Sequence, residues 1–193
     1  VAGRVSVWRT DTPTLARHVD GIWSHVAFPD DAHLVIAGTR DVSWWDLAAP
    51  DLARVKDLGE PVRGLVWDEM GLLAWGRSAA RLWRDDGPTA DMAPVRDAAA
   101  APDGPGIAVV HADRSVRLLQ DGAERDLDLS CTLVAWPRPD AVACASDHDG
   151  PFVVDPTSGR VDRTLNLPRQ RWHSMDAAGG VAVLMDWDTR FYE

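Results

Sequence analysis

Short stretches of alternating polar and apolar residues recur along the chain, and each ends in a bulky side chain. They occupy residues 5–8, 42–45, 80–83, 116–119, 151–154 and 189–192. Their last residues are 37, 38, 36, 35 and 38 positions apart. Side chains of a β-strand point alternately to opposite faces of its sheet, so the alternation indicates strands. The steady spacing predicts an internal repeat of about 37 residues.

Three further sets of strand-like segments follow the same spacing. The first set is 26–28, 65–67, 99–101, 134–136 and 175–177, and the second, which is aliphatic, is 34–38, 72–76, 107–111, 141–146 and 181–185. The third set is weaker and more polar, at 15–19, 52–57, 92–96, 124–129 and 161–165. Pro and Asp residues, which favour chain reversals, separate many of the segments. Each repeat therefore predicts four antiparallel strands, and no segment shows a convincing helical period.

A four-stranded unit of roughly 40 residues is the size of one β-propeller blade. We therefore predict an all-β, single-domain propeller over residues 1–193, with about five blades' worth of chain. The third and fourth strands of one blade fall at 4–19, whole blades at about 21–57, 60–96, 97–129 and 131–166, and a partial blade at 170–193. A sixth third-position strand has no place in a five-bladed ring. We therefore expect an incomplete ring or part of a larger propeller, completed by another chain or a missing segment.

The unit at 21–57 carries a family resemblance. It contains the turn Pro29-Asp30 after its first strand and the dipeptide Trp45-Asp46 at the end of its third. In this order of elements it resembles the tryptophan-aspartate (WD) repeat family of propellers. The usual Gly-His dipeptide before the first strand is absent, with His18 nearest to that place. The unit containing 152–165 also resembles repeats of quinoprotein-like and related bacterial propellers.

The WD-repeat resemblance implies a non-catalytic scaffold that binds a protein partner. It implies that the partner binds the face formed by the loops that enter each first strand and join each second strand to the third. The candidate contact residues in those loops are Trp23, Arg40, Asp41, Arg63, Arg114, His148, Arg171, Trp172 and Trp187. Arg and Trp contribute strongly to binding at interfaces. Trp23 and Trp172 occupy matching points of two units, so packing between blades is the competing interpretation for both.

The alternative function is a propeller enzyme or ligand-binding propeller, quinoprotein-like or lactonase-like, with a site in its channel. The polar sequence Asp147-His148-Asp149-Gly150 could hold a metal ion, but an Asp-Gly turn explains it without one. Cys131 and Cys144 fall on neighbouring strands, and we expect two reduced, buried thiols. No catalytic or phosphate-binding motif is present. We expect no catalytic residue, cofactor or metal.

Charge narrows the choice of partner. The net charge of −10 argues against nucleic acid and anionic membranes, both of which bind Lys and Arg. The arginines are scattered along the sequence, so no basic patch is predicted. No apolar stretch at the beginning of the sequence suggests secretion, and we expect a cytoplasmic protein. Ten of the fourteen aromatic residues are Trp, and the repeat assigns Trp8, Trp45, Trp67, Trp83 and Trp136 to packing positions.

Overall fold

The chain folds into short β-strands. The structure, a computed structural model, describes residues 3–8, 15–30, 32–48, 52–84, 89–120, 122–165, 167, 172–178, 180–186 and 191–192. The strands are β1 (Gly3–Trp8), β2 (Leu15–Gly21), β3 (His25–Ala27), β4 (His33–Ala37), β5 (Asp41–Asp46), β6 (Leu52–Asp57), β7 (Gly64–Asp68), β8 (Gly71–Trp75), β9 (Ala80–Trp83), β10 (Ala90–Met92), β11 (Val95–Ala100), β12 (Ile107–His111), β13 (Ser115–Gln120), β14 (Ala123–Ser130), β15 (Leu133–Arg138), β16 (Ala141–Ser146), β17 (Gly150–Val154), β18 (Val161–Thr164), β19 (Trp172–Ala178), β20 (Val181–Asp186) and β21 (Phe191–Tyr192). No helix in the described part of the chain has the length and apolar character needed to cross a bilayer.

Consecutive strands pair antiparallel and form separate sheets. Strands β3–β6, β7–β10, β11–β14 and β15–β18 form four-stranded sheets, whereas β1–β2 and β19–β21 form sheets of two and three strands. In every sheet the strands lie side by side in chain order. The first strands β3, β7, β11, β15 and β19 lie next to one another from sheet to sheet. This is the all-β propeller architecture predicted from the repeat.

A hydrophobic core fills each space between adjacent sheets. The second strand of a sheet supplies two of these cores at once, because its alternate side chains point to opposite faces. In β8, Leu72 and Ala74 face the preceding sheet, whereas Leu73 and Trp75 face the following one. All five residues of β8 are buried, as are all five of β12. Burial on both faces explains why the second strands are continuously aliphatic. The outermost strand β18, by contrast, is exposed along its whole length.

One predicted strand is wrong. The segment 92–96 was expected to form the fourth strand of the unit at 60–96, but β10 ends at Met92 and β11 begins at Val95. Pro94 stands between them, and a proline has no N–H to donate to a strand partner. The outermost strand of this sheet is therefore Ala90–Met92. Arg96, which the sequence assigned to the rim, lies instead on an innermost strand.

Most of the predicted tryptophan positions are in the cores. Trp45, Trp83 and Trp136 are buried, and the half-buried Trp67 makes an edge-to-face contact with Trp44 at 6.0 Å between ring centroids. The prediction for Trp8 is wrong, because this residue is 60% exposed at the end of β1.

The end of one predicted first strand is also wrong. Phe28 closes the predicted segment 26–28, but it lies outside the strand and is 58% exposed. It stands one position beyond β3, which ends at Ala27, so the pairing of that strand does not fix its direction.

The two cysteines are joined. Cys131 precedes β15 and Cys144 lies on β16, with their Cα atoms 5.8 Å apart, and they form a disulfide. Both are fully buried in the core between the sheets β11–β14 and β15–β18. The expectation of two reduced thiols is therefore wrong. Pairing of β15 with β16 brings both side chains to the same core, where the two sulfurs meet.

Gly64 allows the close packing of a core tryptophan. It pairs with Trp75 across β7 and β8, and the indole ring lies over the glycine. A Cβ at this position would overlap the ring atoms. We expect Gly64→Ala to lower the free energy of unfolding by about 1–3 kcal/mol, measured by urea denaturation, because overpacking displaces the indole.

The matched control for this variant is Gly104→Asn. Gly104 has a φ of +76°, and no other atom lies within 4 Å of the place that a Cβ would occupy. Asn tolerates this backbone conformation better than most residues do. A Gly64→Ala protein as stable as the control would contradict the packing role of this glycine.

Candidate functional site

Two kinds of loop meet at one end of the sheets. The first kind leads from a fourth strand into the next first strand, and the second joins a second strand to a third. Leu58 N donates to Arg40 O at 2.9 Å, and Cys131 N donates to Arg114 O at 3.0 Å, so the two kinds of loop are hydrogen-bonded to each other. We call this end the top face, formed by residues 21–24, 38–40, 58–63, 76–79, 93–94, 112–114, 131–132 and 147–149.

Glu60 holds one top-face loop in place. Its Oε1 accepts hydrogen bonds from Ser78 N at 2.7 Å and Ala79 N at 2.5 Å, and its Oε2 accepts one from the Ser78 hydroxyl at 3.1 Å. These hydrogen bonds keep the pKa of the Glu60 carboxyl below its usual value. The carboxylate therefore fixes the loop 76–79, which carries Arg77, without using an arginine as its partner.

Three arginines line one cavity on the top face. The cavity has a volume of about 420 Å³, and its lining includes Arg63, Arg77 and Arg96 together with Trp75. Arg96 Nε donates to Thr132 O at 3.1 Å. The guanidinium groups of Arg63 and Arg77 make no hydrogen bond or ion pair with another described residue, although the backbone N–H of Arg63 donates to Trp75 O at 2.7 Å and the Glu60 carboxylate attracts the Arg63 charge. Two arginines with available side-chain donors therefore line a cavity whose third arginine is anchored.

The sequence did not predict this basic cavity. Arg63 was a candidate, but Arg77 and Arg96 were not, and no basic patch was expected. The three lie 14 and 19 residues apart in sequence, on the loop 58–63, the loop 76–79 and β11. The repeat spacing offered one signal, because Arg77 occupies the same loop of its unit as Arg40. Nothing in the sequence pattern pointed to Arg96, since its strand was assigned incorrectly.

A buried carboxyl lies beside the cavity on β11. Asp97 Oδ2 accepts a hydrogen bond from Val134 N at 2.8 Å and so joins the innermost strands β11 and β15. Burial raises the pKa of Asp97 to about 7, and the carboxylate of Asp176 on β19 raises it further, against the opposing effects of hydrogen bonds and Arg96. Near neutral pH this carboxyl carries only part of a negative charge, so it offsets little of the arginine charge.

Three polar candidates stand in the top-face loops, and Asp41 begins the strand that follows one of them. Arg40 is exposed and donates through Nη2 to Gly59 O at 2.5 Å, and Asp41 is half-buried at the first position of β5. Arg114 is half-buried with a φ of 75°, in a hairpin turn. His148 is exposed. The structure therefore places these four residues in or next to three separate loops, and among the predicted residues that it describes only Arg63 lines the basic cavity.

The tryptophan candidates pack against the core. Trp172 is 5% exposed and belongs to the core formed with Ala145 and Leu184, so it offers no surface to a partner. Trp23 is half-buried and packs against the core that contains Trp45. The packing interpretation therefore describes both side chains. Arg171 and Trp187 lie outside the described residues.

The polar sequence 147–150 forms a turn. The Ser146 hydroxyl oxygen accepts from His148 N at 3.3 Å and from Asp149 N at 3.4 Å, and Gly150 has a φ of 77°. These are features of a hairpin loop. Among the residues that the structure describes, no three His, Cys, Asp or Glu side chains come together as metal ligands would.

Comparison with known proteins supports the fold. No family model matches the chain, and no curated protein matches its sequence. The chain is similar to the crystal structure of Hsv2 from Kluyvelomyces marxianus, a WD-repeat propeller, with a TM-score of 0.75 at 12% identity. The match covers 97% of this chain and 64% of that one, so the chain spans just under two thirds of Hsv2. The class defined by the sheets and by this likeness is the β-propeller.

The hydrogen bonds of Glu60 predict slow amide exchange in the loop 76–79. In Glu60→Ala, the N–H groups of Ser78 and Ala79 lose their acceptor, and we expect their amide hydrogen exchange to accelerate about tenfold or more. The exchange is measured residue by residue by NMR. Glu69→Ala, in the exposed turn between β7 and β8, should leave both amides unchanged. Equal exchange in the two variants would show that Glu60 does not fix the loop.

The raised pKa of Asp97 predicts a pH dependence of the free energy of unfolding. Between pH 4 and 7 the folded protein retains a proton on Asp97 that the unfolded chain has released, so this residue makes stability fall as the pH rises. Asp97→Asn keeps an oxygen acceptor and does not titrate. We expect its stability relative to the wild type to rise with pH, by at most about 1.4 kcal/mol per pH unit, and to level off above pH 7.

Urea denaturation at several pH values measures this difference. The pKa of His25 is lowered by burial, but it contributes to both proteins and cancels. Asp103→Asn, in the exposed loop between β11 and β12, serves as the control. A stability difference between Asp97→Asn and the wild type that stays constant from pH 4 to 8 would contradict the assignment.

Proposed function

We propose that the chain is a non-catalytic interaction module whose protein partner binds the top face. The observation that carries this proposal is the basic cavity, where arginines from three separate elements meet with their donors largely unused. Arginine is favoured at protein interfaces because its planar group forms paired hydrogen bonds with carboxylates and stacks on aromatic rings. Such a surface is suited to holding a partner.

The internal contacts of the top face support a rigid binding platform. Carboxylates there bond to the protein's own backbone, as Glu60 does with the loop 76–79, and backbone bonds join neighbouring loops. A platform that is already ordered loses little conformational entropy when a partner binds. The arginine side chains are thus presented from fixed loops.

A second candidate function is a propeller with a catalytic or ligand-binding site in its channel, of the quinoprotein or lactonase kind. Asp97 favours it, because a carboxyl on an innermost strand with a pKa of about 7 is matched to proton transfer at neutral pH. A turnover screen with ester, lactone and alcohol substrates tests this candidate. Activity that is lost in Asp97→Asn would support it over the binding module.

Completion of the propeller by other blades is also part of the proposal. Large apolar side chains are exposed near the beginning of the described chain, at Ile22 and Val26, and on the last sheet, at Val181 and Val183. In the second strands of the four-stranded sheets, by contrast, large apolar side chains lie in cores between adjacent sheets. We propose that further blades, from a longer form of this protein or from another chain, cover these faces. We also propose that the protein works in the cytoplasm, although the disulfide is a feature rare in that compartment.

Site-specific photo-crosslinking in the source cells tests the binding module. Benzoylphenylalanine is introduced at the exposed top-face positions Thr39 and His148 and, as matched controls, at the exposed positions Asp103 and Thr157 at the opposite end. We expect mass spectrometry to identify the same protein crosslinked from both top-face positions and from neither control. Crosslinks formed equally from both ends, or only from the control positions, would refute the proposal.

A further inference from the structure

The cavity on the top face is basic in a strongly acidic protein. The whole chain has a net charge of −10, yet Arg63, Arg77 and Arg96 line this one cavity. Like charges held close together repel one another, so their approach needs a compensating anion. The described carboxylates compensate this charge only in part. Glu60 attracts Arg63 and Asp97 attracts Arg96, but both carboxyls direct their hydrogen bonds to backbone N–H groups, and none of the three guanidinium groups forms an ion pair with a described carboxylate.

The positions of the three arginines suit a carboxylate. Arg77 stands on a loop that Glu60 fixes, and Arg96 is held by its bond to Thr132 O. Arg63 and Arg77 keep all of their guanidinium donors available to a ligand. A guanidinium donates two parallel hydrogen bonds to a carboxylate, and such charge-assisted bonds are among the strongest in proteins. Two free arginines beside an anchored third could therefore hold adjacent acidic side chains.

We propose that the partner binds through an acidic peptide segment, whose Asp or Glu carboxylates enter the cavity between Arg63, Arg77 and Arg96. This inference rests on the proposed function and specifies its partner. Its selectivity follows from charge. The net negative charge of the chain opposes non-specific binding of acidic peptides, so a bound acidic segment is favoured where several arginines meet.

A fluorescein-labelled hexaglutamate peptide is the probe, and fluorescence anisotropy with the purified chain measures its binding. We expect saturable binding that weakens as salt is raised from about 50 to 300 mM, because salt screens exposed charges. The variant Arg63→Gln/Arg77→Gln removes the two guanidinium groups that make no hydrogen bond with a described residue. We expect it to bind the probe at least tenfold more weakly, since the loss of even one charge-assisted bond costs roughly a factor of ten or more.

The matched control is Arg84→Gln/Arg160→Gln. Both residues are exposed at the opposite end of the sheets, and their replacement changes the net charge by the same amount. We expect this variant to bind hexaglutamate as the wild type does. Circular dichroism and urea denaturation establish that both double variants are folded.

The outcomes separate this inference from the proposed function. If hexaglutamate fails to bind, or if both double variants lose affinity equally, the acidic-segment proposal is refuted. Crosslinks at Thr39 and His148 would still support a top-face partner in that case. If hexaglutamate binds through Arg63 and Arg77 but no top-face crosslink forms in cells, the cavity binds acidic peptides and the scaffold function fails.

Discussion

Burial of sheet faces against neighbouring sheets is the constraint on which the rest of the structure depends. A single four-stranded sheet leaves both of its faces exposed, so its second strand is buried on both faces only when a sheet packs on either side. The second strands show this most clearly: β8 places Leu72 in one core and Leu73 in the next, both with no exposed surface. Each such side chain contributes about 1.5–3 kcal/mol by leaving water. Apolar burial therefore fixes the order of the sheets, and the loops are free to vary.

The loops at the top face gain their order from polar bonds instead. Backbone bonds between loops and the carboxylate of Glu60 satisfy donors that the strands leave unpaired. This division of roles explains why a rigid basic cavity can form in an acidic chain. The carboxylates are used in holding loops, whereas Arg63 and Arg77 are left to solvent or to a ligand. These two arginine side chains are thus available for binding.

How much the sequence reveals depends on the kind of contact. The period of the strands is a local property, and the third strands lie where the repeat placed them. The site required contacts between distant residues. The sequence assigned Arg96 to an outermost strand. Pro94 separates β10 from β11, so Arg96 lies on the innermost strand β11, at the cavity. Trp172 looked like an interface residue by type, but burial against Ala145 and Leu184 makes it part of the core.

The sequence by itself determined the all-β class, the four-stranded repeat and the turn positions, because alternation of side chains and Pro or Asp reversals act over a few residues. Only the tertiary structure decided which charges meet. Arg63, Arg77 and Arg96 are scattered in the chain, and their shared cavity arises because β7 and β11 begin, and β8 ends, at the same face. The disulfide of Cys131 with Cys144 has the same origin in strand pairing. Local patterns define strands, whereas a site is defined by the way sheets pack.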